Sequence, residues 1–194
     1  MIPQPMPVIA YSDFERGHIF PRSALELDSP PQARRTFLVG MRFAKLPGTE
    51  SPLIWKETNN GVGFDVEAAN SEIHGKFRTS SGELSLGKTV TDGNALLLAR
   101  GATGREVFAS HARKLSENQG QIVSSTAPVD LLLHESGATR EYHIASSAPT
   151  TVTFPVSNAP SELVLDGKPA SAHYAKGMIV INLTEGEHVV TLKR

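Results

Sequence analysis

The chain has 194 residues, 39% of them hydrophobic and 6% aromatic, and its 19 basic and 20 acidic residues leave a formal charge of -1. That balance, with no run of Lys or Arg, argues against a partner held mainly by electrostatics, such as nucleic acid, which is gripped by cations gathered on one face. The absence of cysteine removes disulfides, thiolate nucleophiles and Cys-ligated zinc together, and no apolar stretch approaches the roughly 20 residues of a membrane-spanning helix.

Ile2 to Pro7 carries three prolines, which forbid a helix and suit an extended lead-in. Neither a basic n-region nor a sustained apolar h-region precedes Tyr11, so any export signal is expected to have been removed or to belong to a longer parent chain. Val8 to Tyr11 reads as a strand, Ser12 to Gly17 as a polar connection, and His18 to Phe20 and Ala24 to Asp28 as short extended pieces. Arg35 to Phe43 has large apolar residues on both sides, as a central strand does, and Leu53 to Lys56 resumes with the only tryptophan, Trp55.

Asn59-Asn60-Gly61 is a hairpin turn, because Asn and Gly tolerate the positive φ that such turns need. Strands are expected over Gly63 to Glu67 and Glu72 to Arg78, then over ELSLGKTV and ALLLAR on either side of Asp92-Gly93-Asn94. Arg105 to Glu117 is ambiguous: Val107, Phe108, His111 and Leu115 lie at helical spacing, while Val107, Ala109, His111, Arg113 and Leu115 alternate as a strand would. Propensity leans towards helix; the strands on either side make a strand the expectation. Gln121 to Ser125, Val129 to His134, Arg140 to Ala145 and Thr150 to Pro155 follow, with a hairpin at Ser136 to Thr139.

From Ser161 to Arg194 the period is two: Leu163 and Leu165, then Ile179, Ile181 and Leu183, then Val190 and Leu192 share inward positions, broken at Asp166-Gly167, Lys176-Gly177 and Glu185-Gly186. Such alternation between Gly-containing turns predicts an antiparallel meander with one buried face. The whole pattern predicts an all-β fold, an antiparallel β-sandwich of two stacked sheets with little helix. A single domain over 1–194 is expected, with 1–34 as lead-in and first strands and 161–194 as the closing meander.

The order RTFLVGMRF, the Trp55 strand, VGFDVEA, SEIHGKF, ALLLAR, PVDLLLH and the finish ELVLDGKPASAHYAKGMIVINLTEGEHVVTLK resembles the C-terminal β-sandwich of heparinase II/III-like polysaccharide lyases, and is similar in texture to accessory sandwiches of other carbohydrate-active enzymes. The resemblance implies a periplasmic or extracellular module that packs on a catalytic helical domain or lines a glycan cleft. In such lyases, elimination from a uronate needs a group that neutralises the carboxylate and a base, usually Tyr or His. The helical half that supplies much of this has no counterpart here, so no catalytic residue is assigned.

Candidate site residues are few. Trp55 with Arg42 or Lys56 would offer a sugar a flat apolar face beside a cation, against the plainer reading of an indole sealing one end of the core. Arg16 and His18 crowd an N-terminal loop with Asp13 and Glu15, where a rigid scaffold places chemistry; a solvated loop looks the same. If Ser136 to Thr139 is a four-residue loop, His134 opposes Glu141 and His143 lies diagonally on the same face, a ligand set for zinc with an open position, or simply the polar outer face of a hairpin. No cofactor is otherwise implied.

The Gly-rich patches at Asn60 to Gly63 and Arg100 to Arg105 lack the strand, loop and helix order of a phosphate site and read as turns. The expected function is therefore an accessory module of a polysaccharide-degrading enzyme, inactive alone, with a polysaccharide or oligosaccharide as partner, acidic glycans included, alongside the catalytic domain of a parent chain. The alternatives are a free-standing glycan-binding or structural module and a small metal-dependent hydrolase.

Overall fold

A computed structural model describes residues 9–13, 20–24, 54–58, 60–68, 71–102 and 104–193, of which 9–13, 20–24, 54–58, 66–68 and 71 are described as backbone alone. The chain divides into two compact units, Met1–Val39 and Gly40–Arg194. In the first, β1 (Ile9–Asp13) pairs antiparallel with β2 (Phe20–Ala24). Strand β1 takes in Ser12 and Asp13, which the sequence assigns to a connection, because the partner strand extends far enough for Asp13 to pair with Phe20. The expected strand Arg35 to Phe43 lies outside the described residues.

In the second unit the strands are β3 (Ile54–Thr58), β4 (Gly61–Ala68), β5 (Ser71–Arg78), β6 (Leu84–Leu86), β7 (Thr89–Thr91), β8 (Ala95–Gly101), β9 (Gly104–Glu117), β10 (Gly120–Ser136), β11 (Thr139–Ser146), β12 (Thr150–Pro155), β13 (Glu162–Leu165), β14 (Lys168–Pro169), β15 (His173–Ala175), β16 (Met178–Leu183) and β17 (Gly186–Lys193). All pair antiparallel within one 15-stranded hydrogen-bonded network, and no helix occurs among the described residues. The fold is all-β, as the alternation predicts.

A line of bends crosses this network. Strand β9 pairs through its first part with β8 and through its last residues with β7, and the chain from β7 to β8 turns at Asp92-Gly93-Asn94 to follow it. Strand β10 pairs with β12 at Ser124 and Ser125 and with β11 from Val129 onwards. Strands β11 and β12 are thus two arms of one path beside β10, and β17 and β16 run alongside them as the next path, bending at Thr184-Glu185. The arms face a common core: Leu96, Val107, Leu131, Leu133, Tyr142 and Val190 from one side meet Leu115, Val152, Phe154 and Ile179 from the other. Tyr142 and Phe154 touch directly, with ring centroids 4.7 Å apart.

Polar side chains accept the backbone groups that the bends strand. One carboxylate oxygen of Asp92 accepts from the N–H groups of Arg113 and Lys114, both at 2.9 Å. One of Asp130 accepts from the His111 N–H at 2.7 Å and the Ser110 hydroxyl at 2.9 Å. At the next bend the Thr150 hydroxyl accepts from the Ala127 N–H and the Thr126 hydroxyl accepts from the Thr151 N–H. Gly93 is required here, since a Cβ would come within 2.5 Å of the Ser110 carbonyl oxygen.

Strand β9 resolves the ambiguity over Arg105 to Glu117. Ser110 and His111 lie between Ala109, opposite Leu131, and Ala112, opposite Val129, so two residues face Asp130 alone in a bulge, and His111 takes φ 50. The bulge moves the buried positions from Val107 and Ala109 to Ala112 and Leu115. The second spacing of three, from Ala112 to Leu115, falls at a further register shift against β10 between Ser124 and Val129, and two such spacings in a row are what the sequence alone presents as helical.

The closing strands alternate as expected but do not pair in meander order. Strand β13 pairs with β17 and β14, and β15 with β16, while β16 and β17 lie end to end. The break at Glu185-Gly186 is therefore a bend and not a hairpin: Leu183 and Gly186 each follow a different arm of the neighbouring path.

Candidate functional site

Beside the core, the side chains of β4, β5, β8 and β9 and the turn between β6 and β7 enclose a cleft of about 630 Å³. The two hairpins explain how it is furnished. Pairing of Ala68 with Ser71 sets Asp65 opposite His74 and Glu67 opposite Glu72. Pairing of Gly101 with Gly104 sets Arg100 opposite Arg105, while β5 places His74 beside Leu98 and Glu72 beside Arg100. Leu86 and Leu98 supply an apolar part of the lining.

Within the cleft His74 Nδ1 lies 2.7 Å from Asp65 Oδ1, and Nε2 lies 4.0 Å from the Glu72 carboxylate. The short contact to an ionised carboxylate fixes the tautomer with the proton on Nδ1 and leaves Nε2 turned away from Asp65. Both side chains are a little over one third exposed, at 38% and 37%. Gly75 follows His74, and the space over it is filled by the Phe64 ring: a Cβ would meet that ring at 2.3 Å.

Arg105 is committed elsewhere. Its guanidinium forks onto both carboxylate oxygens of Glu117, at 2.8 and 2.9 Å, and reaches Glu135 at 3.6 Å, which in turn holds Arg140 at 2.8 Å. The hydrogen bond from Arg105, then its charge and the Thr89 hydroxyl, hold the Glu117 carboxyl below the usual range against the opposing effect of burial. Arg100 and Lys88 make no hydrogen bond or ion pair through their side chains with the described residues. With His74 matched to Asp65 and Arg105 to Glu117, the cleft keeps Glu72, Lys88 and Arg100, the last of which also acts through its charge on Glu117. Its lining is mixed, apolar at Leu86 and Leu98 and charged at Glu72, Lys88 and Arg100, a combination that can meet both the apolar and the anionic groups of a ligand.

The sequence-predicted residues are dispersed. Trp55 lies in β3, opposite Phe64, and its side chain is outside the described residues, as are Arg16, His18 and Arg42 altogether. The register expected for the β10–β11 hairpin is present: Glu135 opposes Arg140 and His134 opposes Glu141. The side chains form two separate pairs, His143 Nε2 with Glu141 at 2.7 Å and His134 Nδ1 with Glu106 at 3.3 Å. Among the described residues no group of three His, Cys, Asp or Glu side chains is placed to hold a metal ion.

Sequence reasoning named neither Asp65, His74, Arg100 nor Glu117 as site residues. The signal lies in the register of the hairpin within VGFDVEAANSEIHGKF, which sets the acid and the imidazole on one face once Ala68 pairs with Ser71. The closing strands add a further imidazole pair: His188 Nδ1 meets Asp166 Oδ2 at 2.9 Å while the other oxygen of Asp166 accepts from the Val189 N–H at 2.8 Å. These bonds hold the Asp166 carboxyl below its usual range and tie the β13–β14 turn to β17. A comparison with known protein families and with curated proteins finds no match for the chain.

Proposed function

We propose that the chain is an accessory β-module of a polysaccharide-degrading enzyme, of the heparinase II/III-like kind its sequence resembles, and that it holds an acidic oligosaccharide in the cleft of Asp65, His74, Lys88 and Arg100. The observation that carries this reading is the cleft: about 630 Å³, within the size range of small-ligand sites, with Asp65, His74 and Arg100 gathered by hairpin register and with Lys88 and Arg100 held by no side-chain hydrogen bond among the described residues. Sugars are recognised by just such planar, multivalent donors and acceptors, with Arg suited to a carboxylate or sulfate through a bidentate fork. The role is non-catalytic, because reaction would also need the helical partner.

Calorimetric titration of the isolated chain tests it. An acidic oligosaccharide is expected to bind, Arg100→Ala to weaken it by about ten- to a hundredfold, in line with loss of a charge-assisted contact of about 1.5–3 kcal/mol, and the chain alone to release no unsaturated uronate. Equal binding by Arg100→Ala would remove the cleft from the account, and turnover by the isolated chain would overturn the accessory role.

A further inference from the structure

We infer that ligand binding in this cleft is proton-coupled through His74, the imidazole taking up a proton as it receives an anionic group of the ligand, a carboxylate or a sulfate. The inference rests on the reading of the cleft as an oligosaccharide site and adds how that site is regulated.

The geometry leaves one open valence. Asp65 on β4 occupies Nδ1 at 2.7 Å, and among the described residues no hydrogen bond engages Nε2, which lies 4.0 Å from the Glu72 carboxylate on β5. A neutral imidazole with its proton on Nδ1 offers a lone pair at Nε2, which repels an oxyanion. A protonated one offers an N–H, and the second charge of the pair stays balanced by Asp65. The other groups lining the cleft are Arg100 on β8, Arg105 and Glu117 on β9, and Lys88 in the β6–β7 turn. Arg105 and Glu117 neutralise each other, so Arg100 and Lys88 meet the ligand's charge and His74 adds to them only when protonated. Glu72 competes for the same Nε2–H in the free protein, and an incoming anion must displace it or bind beside it on the Arg100 side.

Binding and protonation are linked reciprocally: a ligand that prefers the cation raises the proton affinity, and protons raise ligand affinity. Lower pH favours the protonated imidazole, so affinity should climb as pH falls.

The experiment is titration calorimetry at pH 6 and pH 8 with three probes: an oligosaccharide carrying uronates only, one carrying sulfates only, and a neutral one. Repeats in buffers of different ionisation enthalpy count the protons taken up. For whichever charged probe binds, about tenfold tighter binding at pH 6 than at pH 8 is expected, with uptake of about half a proton on average across that range. His74→Gln should flatten the profile at the affinity seen at pH 8, and Arg100→Ala should lower affinity at both pH values with the slope kept. Equal affinity of the wild type at both pH values, or a slope that survives in His74→Gln, overturns the inference and leaves the glycan reading standing. Failure of all three probes to bind at either pH overturns both. Circular dichroism of each variant checks that the fold is retained; should His74→Gln be misfolded, the imidazole NMR titration of His74 with and without probe decides the same point, an unmoved midpoint overturning the coupling.

Discussion

The fork between Arg105 and Glu117 is mostly covered, at 18% and 24% exposure, and engages both carboxylate oxygens, which is where a charge-assisted pair contributes most. Because folding depresses the Glu117 carboxyl, its contribution is fully present above the pH at which a free glutamate titrates, about 4.3, and is lost as pH falls through the lower value it has in the fold. Asp166, held down by His188 and the Val189 N–H, contributes with the same sign. Glu117→Gln is therefore expected to lower stability near pH 7 by about 1–2 kcal/mol and to narrow the gap to wild type below pH 4. Thermal unfolding of both proteins from pH 3 to pH 7 measures this, and curves that stay parallel across the range would show that the carboxylate's charge is not what the fork uses.

At the scale of elements, the bends do what hairpins do elsewhere: they let the sheet close over its own core, and they depend on short polar side chains more than on apolar ones. Asp92 serves two N–H groups of β9 at the point where pairing passes from β8 to β7. Asp92→Ala strands both donors and should cost about 1–3 kcal/mol, with faster amide exchange at Arg113 and Lys114; Asp92→Asn, which keeps a side-chain carbonyl, should recover most of it. Exchange unchanged in the alanine variant would mean that water replaces the carboxylate without loss. Much of this level was legible: the alternation in ALLLAR, PVDLLLH, MIVINL and HVVTLK marks strands, and the two-residue gaps after Gly101 and Ser136 set hairpin register. The bends were not legible, because a Gly-containing break such as Glu185-Gly186 looks the same whether the chain reverses or merely turns a corner. The site was not legible, for a related reason: period two says which residues share a face, and only the pairing of one hairpin with the next brings His74 and Arg100 into one cleft.

For the unit Gly40–Arg194 as a whole, the consequence is cooperativity. Strands β9 and β10 run through both arms, and buried residues of both belong to one cluster that joins Leu96 and Tyr142 to Phe154 and Ile179. Neither arm can lose its inner face without exposing the other's, so local opening of one should cost nearly as much as opening both. Amide exchange across a denaturant series is expected to give one common midpoint for the core strands β11 and β17 on one arm and β12 and β16 on the other. Phe154→Ala, which empties the far side of the contact with Tyr142 at 4.7 Å, should then lower the midpoint of both arms together, by the equivalent of about 3–5 kcal/mol. A variant in which β12 and β16 open early while β11 and β17 keep the wild-type midpoint would show two cores where the geometry describes one, and the bend line would then be a boundary and not a fold in a single sheet.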